Sequence, residues 1–119
     1  MPRIRYIDFS TGNDLLDEGI ENYLMYGINP GGFLTSVLIN DLYGATSRAD
    51  FNNRRELAEI VNTLIHNMPP GSFGSKEMIT RWAGDHDNIR SKWAQTTKRK
   101  FIIKAIRNSD ATHSQKPPF

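Results

Sequence analysis

The chain of 119 residues contains no cysteine, which excludes a disulfide framework, a thiolate metal site and catalysis by a thiol. It also lacks any run near the roughly 18 apolar residues that a membrane span needs. The N-terminus, residues 1–5, is not followed by the apolar core of a signal peptide. These absences predict a soluble protein of the cytoplasm.

Acidic residues are scarce at the C-terminal end. Residues 88–119 hold eight Lys or Arg against one Asp or Glu, whereas residues 1–87 hold seven against twelve. The first part therefore carries a net charge of −5 and the second a net charge of +7. Such asymmetry is typical of a surface that meets an anionic partner, although the basic segment could equally lie on the acidic part of the same chain.

Length and composition indicate one domain, since 119 residues with 38% apolar content form a single core. Apolar residues recur at helical spacing through most of the chain, which predicts a mostly α fold, a compact bundle of about five helices. Residues 1–9 are interpreted as a short strand or an extended arm. The domain is expected to cover residues 1–108, and the polar, proline-rich residues 109–119 are expected to form a disordered tail.

The helices are placed by their apolar stripes and caps. The first is predicted over residues 14–26 and is stopped by Gly27, with acidic residues in its first turns. The second is predicted to run without a break, because one apolar face repeats at three and four residues: Leu34, Val37, Leu38, Leu42, Ala45 and Ala49. Ser75 is expected to cap a short helix. From Asp87 onward we favour one long helix over a helix that ends near Thr97.

The stretch "PGGFLTS" at residues 30–36 places two glycines directly before a predicted helix, as a phosphate-binding loop does. Such a loop usually follows a strand and has a Lys or Arg nearby. Here the preceding element is predicted to be a helix, and no Lys or Arg occurs between residues 6 and 47. We therefore interpret the stretch as a turn into a packed helix.

Two charged residues, Asp41 and Arg48, fall on the apolar face of the predicted second helix. Burial of either charge without a partner would be costly. Their spacing of seven residues exceeds that of a direct helical pair, so each is expected to find a partner elsewhere, such as Arg81 or a helix N-terminus. We predict a buried polar pair rather than a ligand site.

Residues 23–82 carry a recognisable combination of motifs: Tyr, Gly, Pro-Gly-x-Phe-Leu, Val-Leu, Asn-Asp-Leu and Ala-Asp, followed by Pro, Gly-Ser and Trp. This half of the chain resembles a group of small, mostly uncharacterised bacteriophage and prophage proteins. The resemblance implies a phage origin, hence the cytoplasm of an infected host cell, and it implies no activity. The basic segment lies outside the matching region.

Signals for chemistry are few. No Ser-His-Asp set, pair of glutamates or phosphate loop with its lysine is present, so we predict no enzyme, no catalytic residue and no cofactor. His86 lies between Asp85 and Asp87, but metal sites need three or four converging ligands, and these carboxylates are better explained as helix caps. We predict no metal site.

The basic segment is the candidate contact surface. Its candidate contact residues are seven cations and one aromatic residue: Arg90, Lys92, Trp93, Lys98, Arg99, Lys100, Lys104 and Arg107. Phe101 is a second aromatic residue interleaved among the cations. The leading hypothesis is a phage-encoded interaction protein that binds and modulates a host or phage macromolecule, most simply a protein. The alternative is a nucleic-acid-binding accessory protein that uses segment 90–107 to neutralise phosphates. A membrane partner is not expected, because the segment has no single apolar face.

Overall fold

The structure, a computed structural model, describes residues 5–50, 53 and 55–114. Six α-helices lie in this part of the chain: α1 (Asp14–Tyr26), α2 (Gly32–Leu38), α3 (Leu42–Arg48), α4 (Leu57–Asn67), α5 (Lys76–Ala83) and α6 (Ile89–Ser114). No strand forms within the described residues, which confirms the mostly α prediction. Of the predicted strand or arm, residues 5–9 are an irregular arm, and residues 1–4 lie outside the described residues.

Helix α1 lies where the sequence places it because both ends carry strong local signals. The Asn13 side chain accepts from the backbone N–H groups of Leu15 and Leu16 at 3.0 and 3.2 Å. Gly27 ends the helix with φ 71°, a conformation that costs glycine little. The helix supplies the centre of the core, since its Ile20, Tyr23 and Leu24 are fully buried.

The core is built from the arm and from the inner faces of α1, α2, α4 and α5. Its buried apolar members are Ile7, Ile20, Tyr23, Leu24, Leu34, Leu38, Ile60, Leu64, Met68 and Trp82. The Tyr23 side chain lies in this core, and its hydroxyl donates to the Ser72 carbonyl at 2.6 Å. Burial raises the pKa of Tyr23 above its usual value, so the hydroxyl stays protonated and keeps this bond.

The predicted second helix is wrong as a continuous element, because the chain breaks it into α2 and α3. Asn40 adopts a left-handed conformation, φ 65°, which asparagine tolerates better than most residues. The amides of Asn40 and Asp41 bond back to the carbonyls of Val37 and Ser36, as in a Schellman motif. The break turns Leu42 away from the core, and it is 67% exposed.

The prediction that Asp41 and Arg48 are buried, each paired with a group elsewhere, is wrong as to burial. Their side chains are 42% and 56% exposed, and their closest charged atoms are 4.0 Å apart. Asp41 caps α3 by accepting from the Gly44 amide at 2.9 Å, so the expected helix N-terminus is its partner. Arg48 donates to the Ser36 hydroxyl at 2.9 Å, whereas Arg81 pairs with Glu77 instead.

Replacement of Asp41 by alanine removes a helix cap and leaves no buried charge unpaired. We expect Asp41→Ala to lower the free energy of unfolding by about 1 kcal/mol, within the range of about 0.5–2 kcal/mol for lost caps. Asp41→Asn should remain close to the wild type, because asparagine caps as well as aspartate. Urea unfolding of the two variants measures both values, and a loss of about 3–5 kcal/mol in Asp41→Ala would instead indicate a buried charge.

The last helix is a single long element, as favoured from the sequence. It starts after a short 3-10 turn over His86–Asn88 and runs to Ser114, so it continues past the predicted domain end at residue 108. The rest of the predicted tail, residues 115–119, lies outside the described residues. No helix in the described part of the chain combines the length and the apolarity needed to cross a membrane.

Candidate functional site

The start of α6 is fixed by Asp85, one of the two acids predicted to be a cap. Its carboxylate accepts from the Ser91 amide at 2.9 Å and from the Ser91 hydroxyl. These hydrogen bonds lower the pKa of Asp85 below its usual value, since they favour the charged form. The neighbouring His86 lies 3.4 Å from the Asp87 carboxylate, and no group of three or more metal-binding side chains occurs among the described residues.

Two of the predicted contact residues attach α6 to the body. Arg90 donates to the carbonyls of Trp82 and Met25 at 3.1 and 3.0 Å, which joins the ends of α5 and α1. Trp93 is partly buried, and its ring meets the buried Trp82 edge-on with centroids 5.8 Å apart. Both side chains therefore help to fix the orientation of the helix.

The middle of α6 packs on the N-terminal arm. The Phe101 ring meets the Tyr6 ring edge-on at 5.2 Å between centroids. The Lys98 ammonium lies 5.8 Å from the centroid of Tyr6 and 5.5 Å from that of Tyr26, within the range of a cation–π contact. The arm therefore packs against the helix as far as Phe101 through the Tyr6 side chain.

Beyond Phe101 the helix is largely exposed to solvent. All six residues from 102 to 107 are exposed, whichever side of the helix they occupy. Ile102, Ile103 and Ile106 belong to this segment and are 54%, 42% and 55% exposed. Residues 88–107 contain no Asp or Glu, so no acid on the helix itself offsets its cations.

The exposed cations divide between two surfaces of α6. The outer face is formed by Ile102, Ile103 and Ile106 together with Arg99, which lies one helical turn before them. Lys98, Arg99, Ile102 and Ile103 line a shallow cavity on this side. Lys100 and Lys104 instead line a cleft between α6 and the arm. The remaining predicted contact residues, Lys92 and Arg107, are exposed and line neither cavity.

A buried carboxylate, that of Asp17, holds the N-terminal arm against the body. From the sequence, Asp17 was interpreted only as one of the acidic residues that stabilise the N-terminal end of the first helix. Asp17 of α1 is 2% exposed. It accepts from the Thr11 amide at 2.8 Å, the Thr11 hydroxyl at 2.7 Å, the Ser10 hydroxyl at 2.5 Å and the Arg5 guanidinium at 3.1 Å. Burial raises the pKa of Asp17, but these hydrogen bonds outweigh that effect and leave its pKa lowered.

A second buried acid, Glu21, lies one turn further along α1 and accepts from the Tyr6 amide at 2.6 Å. Asp17 and Glu21 are the residues that sequence reasoning missed. The sequence did contain a signal that these acids lie on the core-facing side of the helix. Asp17 precedes Ile20 by three residues and Leu24 by seven, and Glu21 precedes Leu24 by three residues, which places both acids on the apolar stripe. Carboxylates on a core-facing stripe predict buried acids that bind a neighbouring segment.

The Pro-Gly-Gly stretch forms the turn into α2, as interpreted from the sequence. Gly31 has φ 97°, and its amide donates to the Asn29 side chain at 2.8 Å. The Gly31 amide is therefore already bonded within the chain.

Comparison with protein-family models, with curated proteins and with solved structures finds no match for this chain.

Proposed function

We propose that this protein is a non-enzymatic interaction protein, of phage origin, that binds and modulates a protein of the infected host or of the phage. Its contact surface is the outer face of α6. The observation that carries this proposal is the exposed helical segment 102–107, which presents three isoleucines beside cations.

The exposed isoleucines on α6 favour a protein partner. Isoleucine gains free energy when it leaves water, and Ile102 and Ile106 lie one turn apart on the same side, as anchors of a helix in a groove do. Arg99 is placed to meet acidic groups at the rim of such a groove. The expected partner surface is therefore an apolar groove bordered by acidic residues.

The nucleic-acid alternative rests on a different observation, the absence of any acid over residues 88–107. Phosphate contacts need only cations, so this hypothesis leaves Ile102, Ile103 and Ile106 without a role. The two functions therefore depend on different side chains of the same helix and are separable by substitution.

The protein-partner proposal is tested by affinity capture from infected-cell lysate with the full chain. We expect a specific protein, identified by mass spectrometry, to be retained after nuclease treatment and lost with the double variant Ile102→Gln, Ile106→Gln. The matched control is Leu15→Gln with Leu42→Gln, which removes two leucines that are 80% and 67% exposed elsewhere on the surface. Equal capture by both double variants, or capture that nuclease abolishes, contradicts the proposal.

The alternative is tested by the joint replacement of Lys98, Arg99, Lys100 and Lys104 by glutamine, followed by mobility-shift titrations with duplex DNA across salt concentrations. For a protein-binding modulator we expect negligible duplex affinity of the wild type near 0.15 M salt, where exposed charges are screened beyond roughly 8 Å. Tight wild-type binding with a steep salt dependence that flattens in the variant would establish the alternative instead, because fewer counterions would be released.

A further inference from the structure

The cleft between the N-terminal arm and α6 has the chemistry of a ligand site, and it is distinct from the outer face. Its volume is about 280 Å³, just below the roughly 300 Å³ at which small-molecule pockets start. Because the cleft is open to solvent on one side, a small ligand would fit with part of its surface exposed.

Aromatic side chains form much of its wall. Tyr6 and Phe9 line it from the arm, and Trp93 and Phe101 line it from α6. The chain has twelve aromatic residues, so a third of them meet at this one cleft. Two of them contact each other, since the Phe101 ring meets the Tyr6 ring edge-on.

Cations stand at the same cleft. Lys100 and Lys104 both line it, are exposed and lie one helical turn apart. Arg5 also lines the cleft, but its guanidinium is occupied by Asp14 at 2.8 Å and by Asp17 at 3.1 Å. Among the described residues the wall has one carboxylate, that of Asp8, which offsets only part of the charge of the two lysines.

We infer that this cleft binds a nucleotide, with the base against the aromatic wall and the phosphate at Lys100 and Lys104. An aromatic base buries apolar surface against Trp93 and Phe101, and a phosphate accepts charge-assisted hydrogen bonds from the two ammonium groups. A simple anion would leave the aromatic wall in contact with water, and a neutral apolar ligand would not bind the lysines. A nucleotide covers the aromatic wall with its base and binds the lysines with its phosphate.

Two side chains on the wall offer hydrogen bonds to the base. Asn67 and Thr97 both line the cleft. The Asn67 amide nitrogen donates to the Thr63 carbonyl at 2.8 Å, which anchors that side chain to α4. The nucleotide is either free in solution or the exposed end of a nucleic-acid strand, since both present the same base and phosphate.

The test is a titration of the full chain followed by intrinsic tryptophan fluorescence, because Trp93 lies on the cleft wall and Trp82 is buried. The probes are adenosine 5′-monophosphate, adenosine, inorganic phosphate and a single-stranded tetranucleotide. We expect saturable quenching by the monophosphate, with adenosine and phosphate each weaker by about tenfold or more. Tighter binding of the tetranucleotide identifies a strand end as the natural source, and equal binding identifies a free nucleotide.

Matched charge variants locate the site. Lys100→Gln with Lys104→Gln should weaken monophosphate binding by about tenfold or more, whereas Lys92→Gln with Arg99→Gln removes the same charge away from the cleft and should change it by less than about twofold. The Ile102→Gln, Ile106→Gln variant should bind the nucleotide normally, so failure of this inference is distinguishable from failure of the proposed protein contact. Absence of saturation, equal binding of adenosine and its monophosphate, or equal losses in the two charge variants would overturn the inference.

Discussion

Replacement of Leu38 by alanine is expected to lower the free energy of unfolding by about 2–5 kcal/mol. Leu38 is the last residue of α2, is 2% exposed and belongs to the core cluster. Its carbonyl also accepts from the Gly74 amide at 2.7 Å, so the loop before α5 is attached at the same point. Truncation removes buried methyl groups and leaves a cavity that this tethered site cannot close fully. Urea unfolding followed by circular dichroism measures the loss.

Leu42→Ala is the matched control, because Leu42 shares the helical spacing of Leu38 but is 67% exposed. Its free energy of unfolding should stay within about 0.5 kcal/mol of the wild type, as for most surface positions. Equal losses in Leu38→Ala and Leu42→Ala would indicate one continuous helix with both leucines in the core. That result would contradict the break at Asn40.

Periodicity alone could not distinguish these two structures. Leu38 and Leu42 are four residues apart, which fits an unbroken helix as well as two helices joined by a turn. The deciding signal was local, the Asn40-Asp41 pair, in which asparagine accepts the left-handed conformation and aspartate caps the next helix. The limits of α1 were predictable because Asn13 and Gly27 give the same kind of signal at both ends of a clear stripe.

The residues of the basic helix α6 could be identified from the sequence, but the directions in which their side chains point could not. The sequence identifies a long basic helix, but which side chains face outward depends on how α1, α5 and the arm pack against it. Arg90 binds two carbonyls from distant segments, and Lys100 and Lys104 share a cleft with residues more than ninety positions earlier in the chain. Such long-range contacts leave no periodic pattern in the sequence. From the sequence we inferred only that the basic segment has no single apolar face, and this inference did not single out the exposed isoleucines.

Replacement of Asp17 by alanine is expected to lower the free energy of unfolding by about 2–4 kcal/mol, because several donors lose a charged acceptor at once. The Thr11 amide and the hydroxyls of Ser10 and Thr11 would be left without this partner. The arm should then detach from α1, and the cleft against α6 should lose one wall. Thermal melting gives the stability, and proteolysis within residues 5–12 reports on release of the arm.

Asp14→Ala is the control for Asp17→Ala, since Asp14 also binds Arg5 but is 94% exposed, and exposed ion pairs contribute about 0–1 kcal/mol.

The stabilisation by Asp17 should also depend on pH. Its pKa in the folded protein lies below the ordinary 3.8, so its stabilisation is present above that value and is lost as the pH falls through the lowered pKa. The difference in stability between wild type and Asp17→Ala should therefore be full at about pH 6 and shrink towards about pH 2.5. A difference that stays constant over this range would mean that the charge of Asp17 does not hold the arm.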